Sequence, residues 1–124
     1  MTLSITLYGI PNCDTVKKAR TWLAEHQLDY AFHDFKKQGL DAATIQQWLT
    51  QLPLEQLINR KGTTWRALTD EQKAAAEQTD SAIGLMIEKP SVIKRPVLVQ
   101  TGSAGAARMS VGFSPAQFET LFSE

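Results

Sequence analysis

At 124 residues and 13.8 kDa the chain has the size of one domain, and such a length buries roughly two-thirds of its unfolded surface without disulfides or metals. Thirteen basic residues balance thirteen acidic ones, which removes any global pull toward nucleic acid or an anionic membrane. A single cysteine excludes an internal disulfide, no apolar stretch approaches the ~18 residues of a membrane span, and Met1-Thr2-Leu3-Ser4 does not resemble a signal peptide; the expectation is a cytoplasmic protein in a reducing compartment.

In chain order, residues 5–8 are β-prone, and Pro11 forbids a simple continuation of that strand. Helical spacing follows from Asp14 to about Glu25, with Val16, Ala19 and Leu23 on one face. Residues 30–35 alternate as a second strand, so the first third is a βαβ unit with a parallel pair and a right-handed crossover. Lys36-Lys37-Gln38-Gly39 is expected to be a turn. Ile45, Trp48, Leu49 and Leu52 then mark an amphipathic helix over 41–52, stopped by Pro53.

The middle of the chain is expected to be short helical pieces. Residues 54–58 make a turn or two, and Asn59-Arg60-Lys61-Gly62-Thr63-Thr64 is a basic loop. Thr69 with Gln72 is a capping box opening a helix to about Gln78, and Asp80 is a plausible N-cap for a helix over 81–88. Strands return at 97–100 and 108–111, expected as an antiparallel hairpin with its turn at Gly102-Ser103-Ala104-Gly105. Ser114, Pro115 and Gln117 are spaced as N-cap, N1 and N3 of a last helix carrying Phe118, Leu121 and Phe122. The order βαβ, helical excursion, ββα is that of an α/β thioredoxin-like fold with an inserted all-helical subdomain. We expect one domain over 1–124, with its core at about 1–39 and 91–124 and its insertion at about 40–90.

Cys13 falls where the first strand hands over to the first helix. A lone cysteine can be simply a small buried hydrophobe. At a helix start near Lys17 and Lys18, however, it has reasons for a lowered pKa, with Asp14 opposing them. The N–H groups of Asp14, Thr15 and Val16 would cradle an anion. Position 16 would hold the second thiol of a Cys-x-x-Cys pair and is Val16, so an oxidised Cys13 needs a thiol from outside, with glutathione or a glutaredoxin-like protein as the obvious donor. Arg95-Pro96 is either an ordinary trans pair or, entering a strand after a βαβ unit, the position where thioredoxin-like folds carry a cis-proline. Arg60, Arg95 and Arg108 are either solvated charges or three planar forks converging on one oxyanion. His26 and His33 lack partners at ligand spacing, so no metal or bound cofactor is expected.

The stretches Tyr8-Gly9-Ile10-Pro11-Asn12-Cys13, Leu57-Ile58-Asn59-Arg60-Lys61-Gly62, Ile93-Lys94-Arg95-Pro96-Val97-Leu98-Val99 and Ala107-Arg108 resemble the arsenate reductase-like (ArsC) family in register over almost the whole chain. The likeness is greatest to its small YffB-type branch, related to the Spx regulators. The resemblance implies a thioredoxin-like fold with a helical insertion. It implies that Cys13 attacks an oxyanion surrounded by Arg60, Arg95 and Arg108, with Pro96 at the cis position. It also implies glutathione as co-substrate and glutaredoxin as the regenerating partner. Arsenate reductases of this type carry a histidine where this chain has Gly9, which puts arsenate specificity in question.

The expected function is therefore a glutathione-dependent thiol reductase with a small oxyanion or disulfide substrate. The alternatives are an arsenate reductase using the same residues and a non-enzymatic Spx-like regulator that binds the RNA polymerase α subunit through its C-terminal domain. Neither nucleic acid nor membrane is expected as a partner.

Overall fold

The computed structural model describes residues 4–102 and 107–122. The chain divides into two compact units, residues 1–38 with 95–124, and residues 39–94.

The first unit is built on a four-stranded sheet ordered β2-β1-β3-β4, with strands β1 (Ser4–Gly9), β2 (Ala31–Asp34), β3 (Val97–Thr101) and β4 (Ala107–Val111). The β1–β2 pair is parallel and the other two pairs are antiparallel, so this is the mixed sheet of a thioredoxin-like fold. The hairpin expected in the last third is present, each strand one residue longer than its alternation suggests. Of the expected turn between its strands, Ser103-Ala104-Gly105 lies outside the described residues.

Helix α1 (Asp14–Glu25) has the limits its spacing predicts and buries Val16, Ala19, Trp22 and Leu23. It shares a core with Ile5, Leu7, Leu98 and Phe118, flanked by Leu28, Tyr30, Phe32, Phe113, Leu121 and Phe122. Edge-on ring contacts link Trp22 to Phe118 at 5.4 Å and Phe113 to Phe118 at 4.7 Å between centroids, the arrangement aromatic quadrupoles favour. Arg20 is held on the same side of the sheet, its Nε donating to Tyr30 Oη at 3.0 Å and its guanidinium 4.3 Å from the Phe32 ring centre.

Residues 36–39 read as a turn in the sequence, but Phe35–Gln38 forms one helical turn, α2. The Asp34 carboxylate accepts from the Lys36 and Lys37 amides, and Gln38 Oε1 accepts from the Asp34 amide. These local bonds satisfy donors that would otherwise be orphaned.

The second unit holds α3 (Ala42–Leu49), α4 (Leu54–Leu57), α5 (Thr63–Arg66), α6 (Asp70–Ala75), α7 (Thr79–Glu88) and a 3₁₀ turn, Pro90–Val92. Asp41 caps α3 by accepting from the Thr44 amide, and the helix packs its buried Ile45 and Trp48 side against α7. The capping box of Thr69 and Gln72 is present with both bonds, although α6 ends at Ala75. Helix α7 begins two residues before the expected start. Gln78 is its N-cap, Asp80 lies in its first turn, and the Ser81 hydroxyl donates to the Ala75 and Gln78 carbonyls. The segment after α4 is joined to the end of the unit by a bridge between Ile58 and Ile93, with Asn59 N–H donating to Val92 O and Lys94 N–H to Leu57 O.

Helix α8 (Pro115–Phe122) returns to the first unit. Ser114 Oγ accepts from the Gln117 amide as the N-cap pattern predicts, but the Gln117 side chain donates to Val111 O at 3.0 Å instead of closing a capping box. Between them Gly112 sits at φ 81°, a left-handed conformation that costs glycine little, and its N–H donates to Pro96 O at 2.8 Å. The start of α8 is thereby tied to the start of β3.

Candidate functional site

The chain leaves β1 at Gly9 and turns through Pro11 and Asn12, closed by the Cys13 amide donating to Ile10 O at 3.2 Å. Cys13 is then the N-cap of α1, in extended conformation, with its carbonyl accepting the first helical bond from Lys17 N–H. The proline and the cap thus hold a half-buried thiol at the positive end of a twelve-residue helix.

Position 9 explains how closely β1 and α1 approach. A Cβ there would lie 2.8 Å from Val16 Cγ2, inside van der Waals contact. Val16 is fully buried, so residue 9 has no Cβ because residue 16 fills its place. The histidine that arsenate reductases are implied to carry at this position therefore does not fit beside Val16.

Around the sulfur, burial pushes the thiol pKa up, and this is the largest single influence. It is outweighed together by the Val16 amide, a hydrogen bond from the Arg95 side chain, the Thr15 amide and the Arg95 charge, so the pKa falls below the ordinary thiol value. The two amides act on the sulfur without making a close capping hydrogen bond. Arg95 comes from far along the chain, immediately before β3, and the Arg95–Pro96 bond is cis. Lys17 and Lys18 project from α1 as exposed side chains, and the cationic influence on the sulfur is that of Arg95.

The structure thus brings together Cys13, Thr15, Val16 and Arg95, with Asp14 exposed in the same first turn. It does not bring Arg108 to the thiol. Arg108 pairs with Gln100, which pairs with Ile5, whereas Val111 is level with Val97 and Tyr8. Ile5 lies four residues before Gly9, roughly 13 Å along the strand, so Arg108 belongs to the other end of the sheet. There its Nη1 donates to Leu121 O in the last turn of α8 at 3.2 Å. Arg60 is engaged within the helical unit, with Nη2 3.5 Å from Glu77 Oε2 and its guanidinium 5.1 Å from the Trp65 ring centre.

Chemically, two amides and a guanidinium on one sulfur stabilise a thiolate, and the same donors suit a small anion. Among the described residues no cluster of His, Cys, Asp and Glu could hold a metal ion, and no helix is long and apolar enough to cross a membrane.

Comparison with known proteins agrees with this fold. A solved YFFB protein is 43% identical, covers 96% of this chain and 99% of its own, and superposes with a TM-score of 0.84. An arsenate reductase (ArsC) related protein from Brucella melitensis is 49% identical, covers 98% and 96%, and gives a TM-score of 0.69. The global transcriptional regulator Spx of Streptococcus agalactiae is 28% identical over 112 residues, 89% of this chain and 77% of its own. Residues 8–121, which run from the strand before Cys13 to the last turn of α8, match the ArsC family, and the chain belongs to that family.

Proposed function

We propose that the chain is a glutathione-dependent thiol reductase in which Cys13 is the nucleophile. The observation that supports this reading is the placement of the chain's one thiol at the head of α1 under two amides and the Arg95 guanidinium. The Cys13 thiolate attacks one sulfur of a disulfide, the S–S bond breaks, and the departing thiolate takes a proton from solvent. Cys13 is left in a mixed disulfide. Val16 offers no second sulfur, so an external thiolate attacks the adduct and Cys13 departs. The donors that lower its pKa also make it a good leaving group. A glutaredoxin-like protein suits the regeneration of any glutathione adduct.

The test is the pH dependence of Cys13 alkylation by iodoacetamide, together with mass spectrometry after exposure to glutathione disulfide. The reading expects a midpoint below the ordinary ~8.5 of a free thiol and a glutathione adduct on Cys13. Alkylation no faster at pH 7 than that of a small free thiol would falsify it.

The same donor set suits arsenate, and arsenate-dependent oxidation of NADPH in the presence of glutathione and glutaredoxin separates that substrate from disulfides. Absence of turnover above a Cys13→Ser background removes arsenate. The likeness to Spx supports a second reading, in which the chain is a regulator and binds the C-terminal domain of RNA polymerase α. Capture of that domain by the Cys13→Ser protein, with its biological effect intact, would favour it over either enzyme.

A further inference from the structure

A groove of about 510 Å³ runs beside α1, lined by Lys17, Lys18, Thr21, Trp22 and Glu25 on one wall and by Phe113 and Pro115 on the other. That volume is within the range of small-ligand sites. Lys17, Thr21 and Glu25 follow one another at four-residue spacing and so form one ridge along the helix. Phe113 follows Gly112, whose N–H donates to the carbonyl of Pro96, and Pro96 follows the Arg95 that hydrogen-bonds to Cys13, so this wall stands at the thiol end of α1. By the rise of a helix, Lys17 and Lys18 stand roughly 6 to 8 Å along the axis from Cys13 and Glu25 roughly 18 Å. Two lysines therefore stand in the first turns of α1 and one carboxylate at its far end, with apolar Phe113 and Pro115 lining the groove beside them.

From this arrangement we infer that the groove holds the body of the thiol co-substrate, a short anionic peptide of the glutathione type. Its sulfur meets Cys13, its carboxylates face Lys17 and Lys18, and its methylene groups lie on Phe113 and Pro115. The inference rests on the glutathione reading above and deepens it by naming the surface that selects the thiol. In the step it serves, Cys13 Sγ bonds to one sulfur of glutathione disulfide, the S–S bond breaks, and glutathione leaves as a thiolate that is then protonated.

The experiment compares second-order rates of Cys13 with glutathione disulfide and with uncharged hydroxyethyl disulfide, in the natural chain and in a Lys17→Gln/Lys18→Gln variant. The ratio of the two rates cancels any change in thiol nucleophilicity. Two exposed charge contacts predict a fall of about fivefold in that ratio, shrinking as salt is raised. Charge reversal in Lys17→Glu/Lys18→Glu should lower it further. In parallel, S-methylglutathione, which cannot react, should shift the Trp22 and Phe113 resonances of the Cys13→Ser protein. An unchanged ratio in both variants, or shifts confined to other surfaces, overturns the groove. Slow alkylation by iodoacetamide would instead remove the activated thiol itself, so the two failures are distinguishable.

Discussion

Arg95 and Arg108 stand near opposite ends of the same sheet, and each meets the end of a helix. Arg95 approaches the N-terminus of α1, where backbone amides are unpaired, and its charge would be repelled there without an anion to share. Guanidinium and amides converge there on one sulfur, that of Cys13, and favour its thiolate form. Arg108 meets the C-terminus of α8, where unpaired carbonyls welcome a cation directly, and it donates to Leu121 O. One arginine helps to lower the pKa of a thiol and the other finishes a helix. The residue type is the same; the helix end decides the role.

The strongest way to break the comparison is at the sulfur. Cys13→Ser should abolish adduct formation with glutathione disulfide, as read by intact-protein mass. Next, Arg95→Gln should lower the alkylation rate at pH 7 several-fold, because removing the hydrogen bond and the charge moves the thiol pKa upward. The sign is fixed by the direction of the shift: the deficit is greatest at low pH and closes only as pH rises past the variant's own raised thiol pKa, where both proteins are thiolate. A flat ratio across pH would mean that Arg95 acts on something other than ionisation.

A structural challenge to the thiol end is Gly9→His, expected to cost about 1–3 kcal/mol of unfolding free energy by forcing a Cβ against Val16. Addition of Val16→Ala should return part of that loss, and strict additivity in a double-mutant cycle would show that the two sites do not share the space. The smallest effect belongs to the other end of the sheet. Arg108→Ala should cost about 0.5 kcal/mol in chemical denaturation and leave the alkylation pH profile in place. A displaced profile would join the two ends that the strand register separates.

The limits of α1 are legible in the sequence because every signal there is local: Pro11 ends the strand, helical spacing starts at Asp14, and Val16, Ala19 and Leu23 are buried together. The box at Thr69 is legible for the same reason. Residues 36–38 are not, since their helical turn depends on the Asp34 and Gln38 side chains bonding to backbone rather than on any apolar pattern. The short helix α5 falls partly inside what reads as a basic loop, where four residues are too few to show a period. Arg108 and Val111 differ by three positions on one strand, and only the pairing of Gln100 with Arg108 and of Val97 with Val111 tells which of them is level with the thiol end. Arg60 has Glu77 as its ion-pair partner, seventeen residues away and outside any helical or strand repeat. The Lys17–Lys18 pair is visible as charge beside a cysteine; the Phe113–Pro115 wall facing it is not, because it comes from the far end of the chain.

Val16 has one more consequence, in the order of the reaction that clears the sulfur. A second thiol held three residues away meets a disulfide at an effective concentration no solution can match, so release is a first-order event timed by the protein. With Val16 filling that place and Cys13 the only cysteine, release is second-order. The lifetime of any adduct on this chain is then inversely proportional to the free thiol around it, and the clock that empties the site is kept by the surrounding solution.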